Sequence, residues 1–118
     1  MLFSLLWLLF PLHAAQQQAV IFIDSAQPNQ PILIDEINQM LYLSPTLRSQ
    51  MKIEVFDINP AGPAFIGEIK YIHDRTGQAV AKYRPGPLPY LICFNDNKAG
   101  SRGTLNNKEQ LCLCSNHC

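Results

Sequence analysis

The C-terminal end of the chain holds the side chains with the widest choice of chemistry. Cys112, Cys114, His117 and Cys118 fall within seven residues. Thiolates and an imidazole can bind a tetrahedral metal ion, and neighbouring thiols can also form or exchange disulfides. Zinc sites usually take their ligands as pairs from two separate segments, whereas one segment supplies all four here. Which of these chemistries applies depends on the compartment.

The N-terminus indicates that compartment. Residues 2–12 form an apolar run without charge, and Ala14 and Ala15 follow it. Such a run is too short to cross a bilayer, which needs about twenty residues, but it has the length of a secretory h-region. We therefore predict a signal peptide over residues 1–15, a periplasmic or secreted protein, and no stable membrane span after cleavage.

Export makes disulfides the expected state of the tail cysteines. We predict that Cys118 pairs with Cys112 or Cys114. A metal site formed by Cys112, Cys114, His117 and Cys118, or redox-active thiols in the same tail, are the alternatives. Cys93 lies inside the apolar run 90–94, where a buried free cysteine acts as a small hydrophobe. A bridge from Cys93 to Cys112 or Cys114 requires the last helix to pack on this strand.

Composition limits the classes of partner. Nine basic residues balance nine acidic ones, so no net positive charge favours nucleic acid. With 118 residues, of which 47% are apolar, the chain suits one compact domain. We predict no cofactor.

Hydrophobic periodicity predicts an α/β order in which strands alternate with helices. Alternation or compact apolar runs predict strands, and the spacing of Leu33, Ile37 and Leu41 predicts one face of a helix. The predicted elements are strands at 19–23, 52–58 and 90–94, helices at 32–41, from Pro45 and at 64–72, a hairpin turn at 95–100, and a last helix capped by Asn106 or Asn107. The predicted domain covers residues 16–110, and a cysteine-rich tail covers 111–118.

The stretch 88–94, the turn after it, Gly103 before Leu105 and the capped last helix resemble the C-terminal half of a thioredoxin. In that family a cis-proline precedes the third core strand, and Pro89 stands at the matching position. The resemblance implies a thioredoxin-like three-layer sandwich in which helices flank a mixed central sheet. It also implies a cis peptide bond before Pro89.

The loop before the first helix departs from the family. Thioredoxins carry the redox Cys-x-x-Cys there, but residues 25–31 contain no cysteine. Disulfide exchange at this loop needs two sulfur atoms, so we predict no catalytic residue in it. We interpret Asp24 as a loop-capping carboxylate and His73 as an exposed loop residue. A cis-proline beside a polar loop leaves a groove for an extended peptide, with Ser25, Gln27, Pro89 and Tyr90 as candidate contacts.

These observations predict an exported, redox-silent, thioredoxin-like binding or assembly factor of the cell envelope, with a protein or peptide client. Degenerate domains of this kind occur in accessory proteins of conjugative transfer and secretion systems, which are the expected setting. The alternatives are a thiol-disulfide oxidoreductase or a metal-binding protein that uses the tail from Cys112 to Cys118.

Overall fold

A computed structural model of the chain describes residues 17–63 and 67–115. The elements in chain order are β1 (Gln17–Ile23), α1 (Asn29–Leu43), α2 (Pro45–Gln50), β2 (Met51–Asp57), β3 (Lys70–His73), α3 (Gln78–Tyr83), β4 (Tyr90–Asn95), β5 (Lys98–Thr104) and a 3₁₀ helix (Lys108–Cys114). The predicted signal peptide, residues 1–15, lies outside the described residues. Within the described ranges no helix is long and apolar enough to cross a membrane.

The five strands form one mixed sheet in the order β3-β2-β1-β4-β5. β2 runs parallel to both β1 and β3, whereas β4 runs antiparallel to β1 and β5. The central strand β1 is buried on both faces, which explains why its sequence is a continuous apolar run and does not alternate. The parallel pairing of β1 and β2 requires a crossover, and α1 with α2 supplies it.

Helices cover both faces of the sheet, so the domain has the three layers that were expected. On one face α1 buries Leu33, Ile37 and Leu41 against β1 and β2, and the 3₁₀ helix adds Leu111 to the same core. On the other face, the short helix α3 packs on a second cluster that includes Phe22 and Phe56. These two rings stack with their centroids 5.2 Å apart.

The helix predicted at 64–72 is wrong at its C-terminal end, where residues 70–73 form the edge strand β3. Residues 64–66 lie outside the described part. Ile72 packs with the second cluster, whereas its neighbours Tyr71 and His73 point to the opposite face, toward Asp57. The side chains of this segment therefore alternate between the two faces of the sheet, as in a strand. The segment is too short for its sequence pattern to distinguish a strand from a helix.

The predicted boundary between domain and tail, at residue 111, falls inside the 3₁₀ helix. Leu111 is fully buried and Cys114 is also buried, so both belong to the domain core. Asn107 is the residue before this helix, and its backbone N–H donates to Oε1 of Gln110 at 3.0 Å. Nε2 of Gln110 donates to the carbonyl of Thr104 at 2.9 Å. The side chain of Gln110 thus joins the end of β5 to the helix that closes the core.

Candidate functional site

One edge of the sheet, at the carboxyl ends of β1 and β2, brings together three segments. These are the loops that follow β1 and β2 and the segment that precedes β4. Phe22 pairs with Tyr90 across the sheet, which places Pro89 beside the end of β1. The peptide bond between Leu88 and Pro89 is cis, which confirms the prediction. Loops at the carboxyl ends of parallel strands are the usual place for ligands in open α/β sheets. This edge is therefore the candidate site.

A buried carboxylate at the end of β2 organises this edge. The side chain of Asp57 is fully buried. Its Oδ1 accepts from the backbone N–H of Ser25 at 3.1 Å and from that of Asn59 at 2.9 Å. Its Oδ2 accepts from the hydroxyl of Tyr71 at 2.5 Å. One carboxylate therefore joins the β1–α1 loop, the loop after β2 and the edge strand β3.

The other polar groups around Asp57 also bond to one another. Nδ2 of Asn59 donates to the hydroxyl oxygen of Ser25 at 3.0 Å. Nδ1 of His73 lies 3.1 Å from the carbonyl oxygen of Asn59 and 3.8 Å from Oδ2 of Asp57. We call Ser25, Asp57, Asn59, Tyr71 and His73 the Asp57 cluster. Buried polar groups need such partners, and here the partners come from three different segments.

The pKa values of Asp57 and Tyr71 are shifted in opposite directions. Burial raises the pKa of Asp57, but hydrogen bonds from Ser25, Tyr71 and Asn59 outweigh it, so the net pKa lies below the ordinary value. Burial, the hydrogen bond to Asp57 and its negative charge raise the pKa of Tyr71 well above the ordinary value. Asp57 is consequently ionised at neutral pH and is a weak base, and Tyr71 stays a hydroxyl donor.

The β1–α1 loop has little donor capacity left for a ligand. The N–H of Ala26 donates to Oδ1 of Asp24 at 3.0 Å, which agrees with the interpretation of Asp24 as a loop-capping carboxylate. The N–H groups of Gln27 and Gln30 donate to carbonyls of the same loop, at 3.0 Å each, and the N–H of Asp24 donates to Gln30 Oε1 at 2.7 Å. An oxyanion site needs uncommitted donors, and of the N–H groups at residues 24–30 only that of Asn29 has no partner among the described residues.

Arg102 on β5 holds the segment before β4 on the opposite side of the candidate site. Its Nη2 donates to the carbonyls of Tyr83 at 2.9 Å and Arg84 at 2.6 Å, and its Nε donates to the hydroxyl of Tyr90 at 3.1 Å. The guanidinium also lies 5.3 Å from the centre of the Tyr90 ring. A planar fork of donors suits such a multiple contact, which a lysine could not reproduce. The segment around Pro89 is thereby tied to the sheet.

The four residues predicted to contact a peptide in the groove differ in how exposed they are. Gln27, in the β1–α1 loop, is exposed. Pro89 and Tyr90, just before β4 and at its start, are half-buried. Ser25 is also half-buried, but its hydroxyl belongs to the Asp57 cluster and is not a free contact group. The backbone of Leu88 makes no backbone hydrogen bond with any described residue. The N–H and carbonyl groups of Leu88 are therefore not used in pairing with the described strands.

The structure forms the Cys93 bridge that the sequence analysis gave as an alternative, and it leaves the predicted pairing of Cys118 with Cys112 untested. Cys93 is bonded to Cys114 with their Cα atoms 4.9 Å apart, so Cys93 is not a free core cysteine and Cys114 does not pair within the tail. The 3₁₀ helix packs on β4, which was the condition for this alternative. Cys112 is also disulfide-bonded, and none of the described cysteines is free. His117 and Cys118 lie outside the described residues.

The disulfide removes Cys114 from the proposed metal ligands, because a metal needs its thiolate. Among residues 17–63 and 67–115 no group of three or more potential metal ligands lies together. Both Cys93 and Cys114 are buried. Sulfurs of this kind stabilise a fold and are poorly placed for exchange with another protein.

Most of the Asp57 cluster was missed in the sequence. Asp57 stands at the end of an apolar strand, and this was its only signal. The interpretation of His73 as an exposed loop residue is wrong, because it lies in β3 with its side chain 16% exposed. Tyr71 was hidden inside the helix predicted at 64–72. The partners of Asp57 come from β3 and from two loops, and sequence spacing does not reveal such long-range pairs.

The sheet order, the three layers and the cis-proline before β4 define a thioredoxin-like fold. A solved structure of StoA from Bacillus subtilis matches it with a TM-score of 0.65, covering 84% of this chain and 81% of that one. The two sequences are 12% identical, so the likeness concerns the fold alone. The sequence matches no known protein-family model. A search of curated proteins also found no match.

Proposed function

We propose that this chain is an exported, redox-silent protein that binds an extended segment of a client protein. The binding groove lies between the β1–α1 loop and the segment 88–90. The observation that carries this proposal is the Asp57 cluster, which fixes a sulfur-free loop opposite a cis-proline. A loop fixed in this way provides a pre-formed surface, and pre-formed surfaces lower the entropic cost of binding.

The distance between the disulfide and the groove supports a redox-silent role. Cys93 pairs with Ala19 in the sheet, whereas the groove begins after Ile23. Four residues of strand separate the two points by about 13 Å. The sulfurs also belong to the core on the α1 face and are buried there. A client in the groove would have no thiol within reach of this bond.

The disulfide also supports export. Stable structural disulfides form in oxidising compartments and are rare in the cytosol. Cys93–Cys114 joins β4 to the last helix, so oxidation adds to the stability of the core. We infer a periplasmic or secreted location, and an assembly role in an envelope machine such as a conjugative or secretion apparatus.

Site-specific photo-crosslinking in the native cell tests the proposal. A photoreactive amino acid at exposed Gln27 should yield a discrete crosslinked client. The same group at exposed Gln39, about 18 Å further along α1, is the matched control and should not. The complex should form equally well after the cells are treated with a thiol-blocking reagent. A client held by a reducible mixed disulfide would contradict the redox-silent role, and equal crosslinking from both positions would contradict the groove.

A further inference from the structure

A cavity of about 200 Å³ opens beside the Asp57 cluster, between the start of α1 and the loop after β2. Its walls are apolar and include Ile23, Ile34 and Pro63. Its polar groups are the side chains of Ser25, Asp35 and Tyr71. A volume of this size holds one side chain of a bound segment, so the chemistry of the lining defines which side chain fits.

The polar groups in the lining have no hydrogen left to donate to a ligand. Tyr71 gives its hydroxyl hydrogen to Asp57. Ser25 is hydrogen-bonded through its hydroxyl to Asp57, and its oxygen accepts from Asn59. The third group, the carboxylate of Asp35, accepts hydrogen bonds and has none to donate. The cavity therefore leaves a ligand the carboxylate of Asp35 as its acceptor, and the ligand must supply the hydrogens.

Charge at the cavity has one sign. Asp57 lies directly behind Tyr71 and Ser25 and is ionised, and Asp35 stands in the lining itself. His73 faces Asp57 from β3 with 3.8 Å between Nδ1 and Oδ2, but neither lysine nor arginine is found among the described lining residues. The side chain of Asp35 forms no ion pair or hydrogen bond with any described residue. A positive group would find complementary charge here.

The N-terminus of α1 does not reverse the preference of the cavity for a positive group. A helix N-terminus attracts anions through its free N–H groups. Here Pro28 and Pro31 have no N–H, and the N–H of Gln30 is bonded to the carbonyl of Gln27 at 3.0 Å. Of the N–H groups at residues 28–31, only that of Asn29 is therefore left for an anion.

We propose that this cavity is a specificity pocket that receives one basic side chain, lysine or arginine, of the client segment. The apolar walls would cover the methylene groups, and the charged end would reach the carboxylate of Asp35. Long basic side chains commonly bury their stems while their charged ends find polar partners. The inference rests on the proposed client binding, and it names the client chemistry that the groove selects.

Titration with side-chain analogues tests the pocket without a client. The ¹⁵N-labelled, oxidised protein is titrated with n-butylammonium, with neutral n-butanol and with anionic butyrate, and the amide shifts are followed. We expect n-butylammonium to shift amides around Ser25, Asp35 and Tyr71, and the other two probes to shift them far less. Asp35→Asn should raise the dissociation constant of n-butylammonium about three- to fivefold, the size of an exposed ion pair. Glu36→Gln, on the next residue of α1, should leave it unchanged.

Equal shifts with n-butanol would overturn the basic specificity, and so would shifts with n-butylammonium that Asp35→Asn and Glu36→Gln alter equally. Absence of any shift at these amides would overturn the pocket itself. Neither outcome affects the crosslinking from position 27. A client captured there while n-butylammonium fails to bind would therefore leave the proposed function standing and remove only this inference.

Discussion

The hydroxyl of Tyr71 donates to Oδ2 of the fully buried Asp57 across 2.5 Å and links the edge strand β3 to the end of β2. The two residues are 14 positions apart in the chain. Through Asp57 the same contact reaches the N–H of Ser25 in the loop after β1. The stability of the domain and the shape of its groove therefore depend on the same group.

Replacement of Asp57 by alanine should be strongly destabilising. It would remove the acceptor for the N–H groups of Ser25 and Asn59 and for the hydroxyl of Tyr71. Each buried donor without a partner costs about 1–3 kcal/mol, so Asp57→Ala should lower the free energy of unfolding by about 3 kcal/mol or more. Urea unfolding measures this. Glu36→Ala, at an exposed position, should change it by less than about 0.5 kcal/mol. A loss for Asp57→Ala as small as this would mean that the cluster does not hold the loop.

The pKa shifts predict a loss of stability at both ends of the pH scale. The folded pKa of Asp57 lies below its unfolded value of about 4, so its contribution is present above that pH and is lost as the pH falls through the folded pKa. The folded pKa of Tyr71 lies above its unfolded value of about 10, so its contribution is complete below pH 10 and is lost as the pH rises further.

Urea unfolding between pH 3 and pH 11 checks this prediction. Tyr71→Phe should lower stability at neutral pH by about 1 kcal/mol, for the lost hydrogen bond, and should reduce the alkaline decline. Tyr42→Phe, at a position that is 66% exposed, is the control and should retain the wild-type decline. An alkaline decline of the same size in Tyr71→Phe would show that Tyr71 does not cause it.

Gly62 tests the packing of the Asp57 cluster from the loop after β2. A Cβ atom at Gly62 would overlap the hydroxyl oxygen of Ser25 and would come within 2.6 Å of Oδ2 of Asp57. Gly62→Ala should therefore cost about 1–3 kcal/mol and reduce crosslinking from position 27. Gly100→Ala on β5 is the control, because its nearest contact is a carbonyl at an ordinary 3.7 Å. Equal stability of the two variants would mean that the loop moves freely away from the cluster.

The disulfide should contribute most of its effect through the unfolded chain. Cys93 and Cys114 are 21 residues apart, and closing a loop of this length stabilises a fold by about 3 kcal/mol. The double variant Cys93→Ala/Cys114→Ala should show this loss in urea. The variant Cys112→Ser/Cys118→Ser should be nearly as stable as the wild type, because we predict that those two cysteines close a loop of only a few residues. The reverse ranking would show that the tail bridge holds the domain.

Local patterns were sufficient for much of the fold. The central strand, the amphipathic face of α1 and the position of Pro89 could each be predicted from a few neighbouring residues. The edge strand β3 could not, because Lys70–His73 is short and its identity depends on pairing with β2. The pairing of Cys93 with Cys114 depends on how the last helix packs, which four cysteines in a sequence do not specify. The Asp57 cluster was missed for the same reason, because its contacts join residues that are distant in the sequence.

The most direct test of the redox-silent role is a measurement of thiol exchange by the native, full chain. The protein is held in glutathione buffers that span the poise of an oxidising compartment, its free thiols are counted by alkylation, and insulin reduction is assayed in parallel. We predict that Cys93 and Cys114 stay bonded and resist alkylation unless urea unfolds the chain and exposes the bond to reduction by glutathione, and that insulin is not reduced. Reversible opening of Cys93–Cys114 in the folded protein, together with turnover of insulin, would contradict the account.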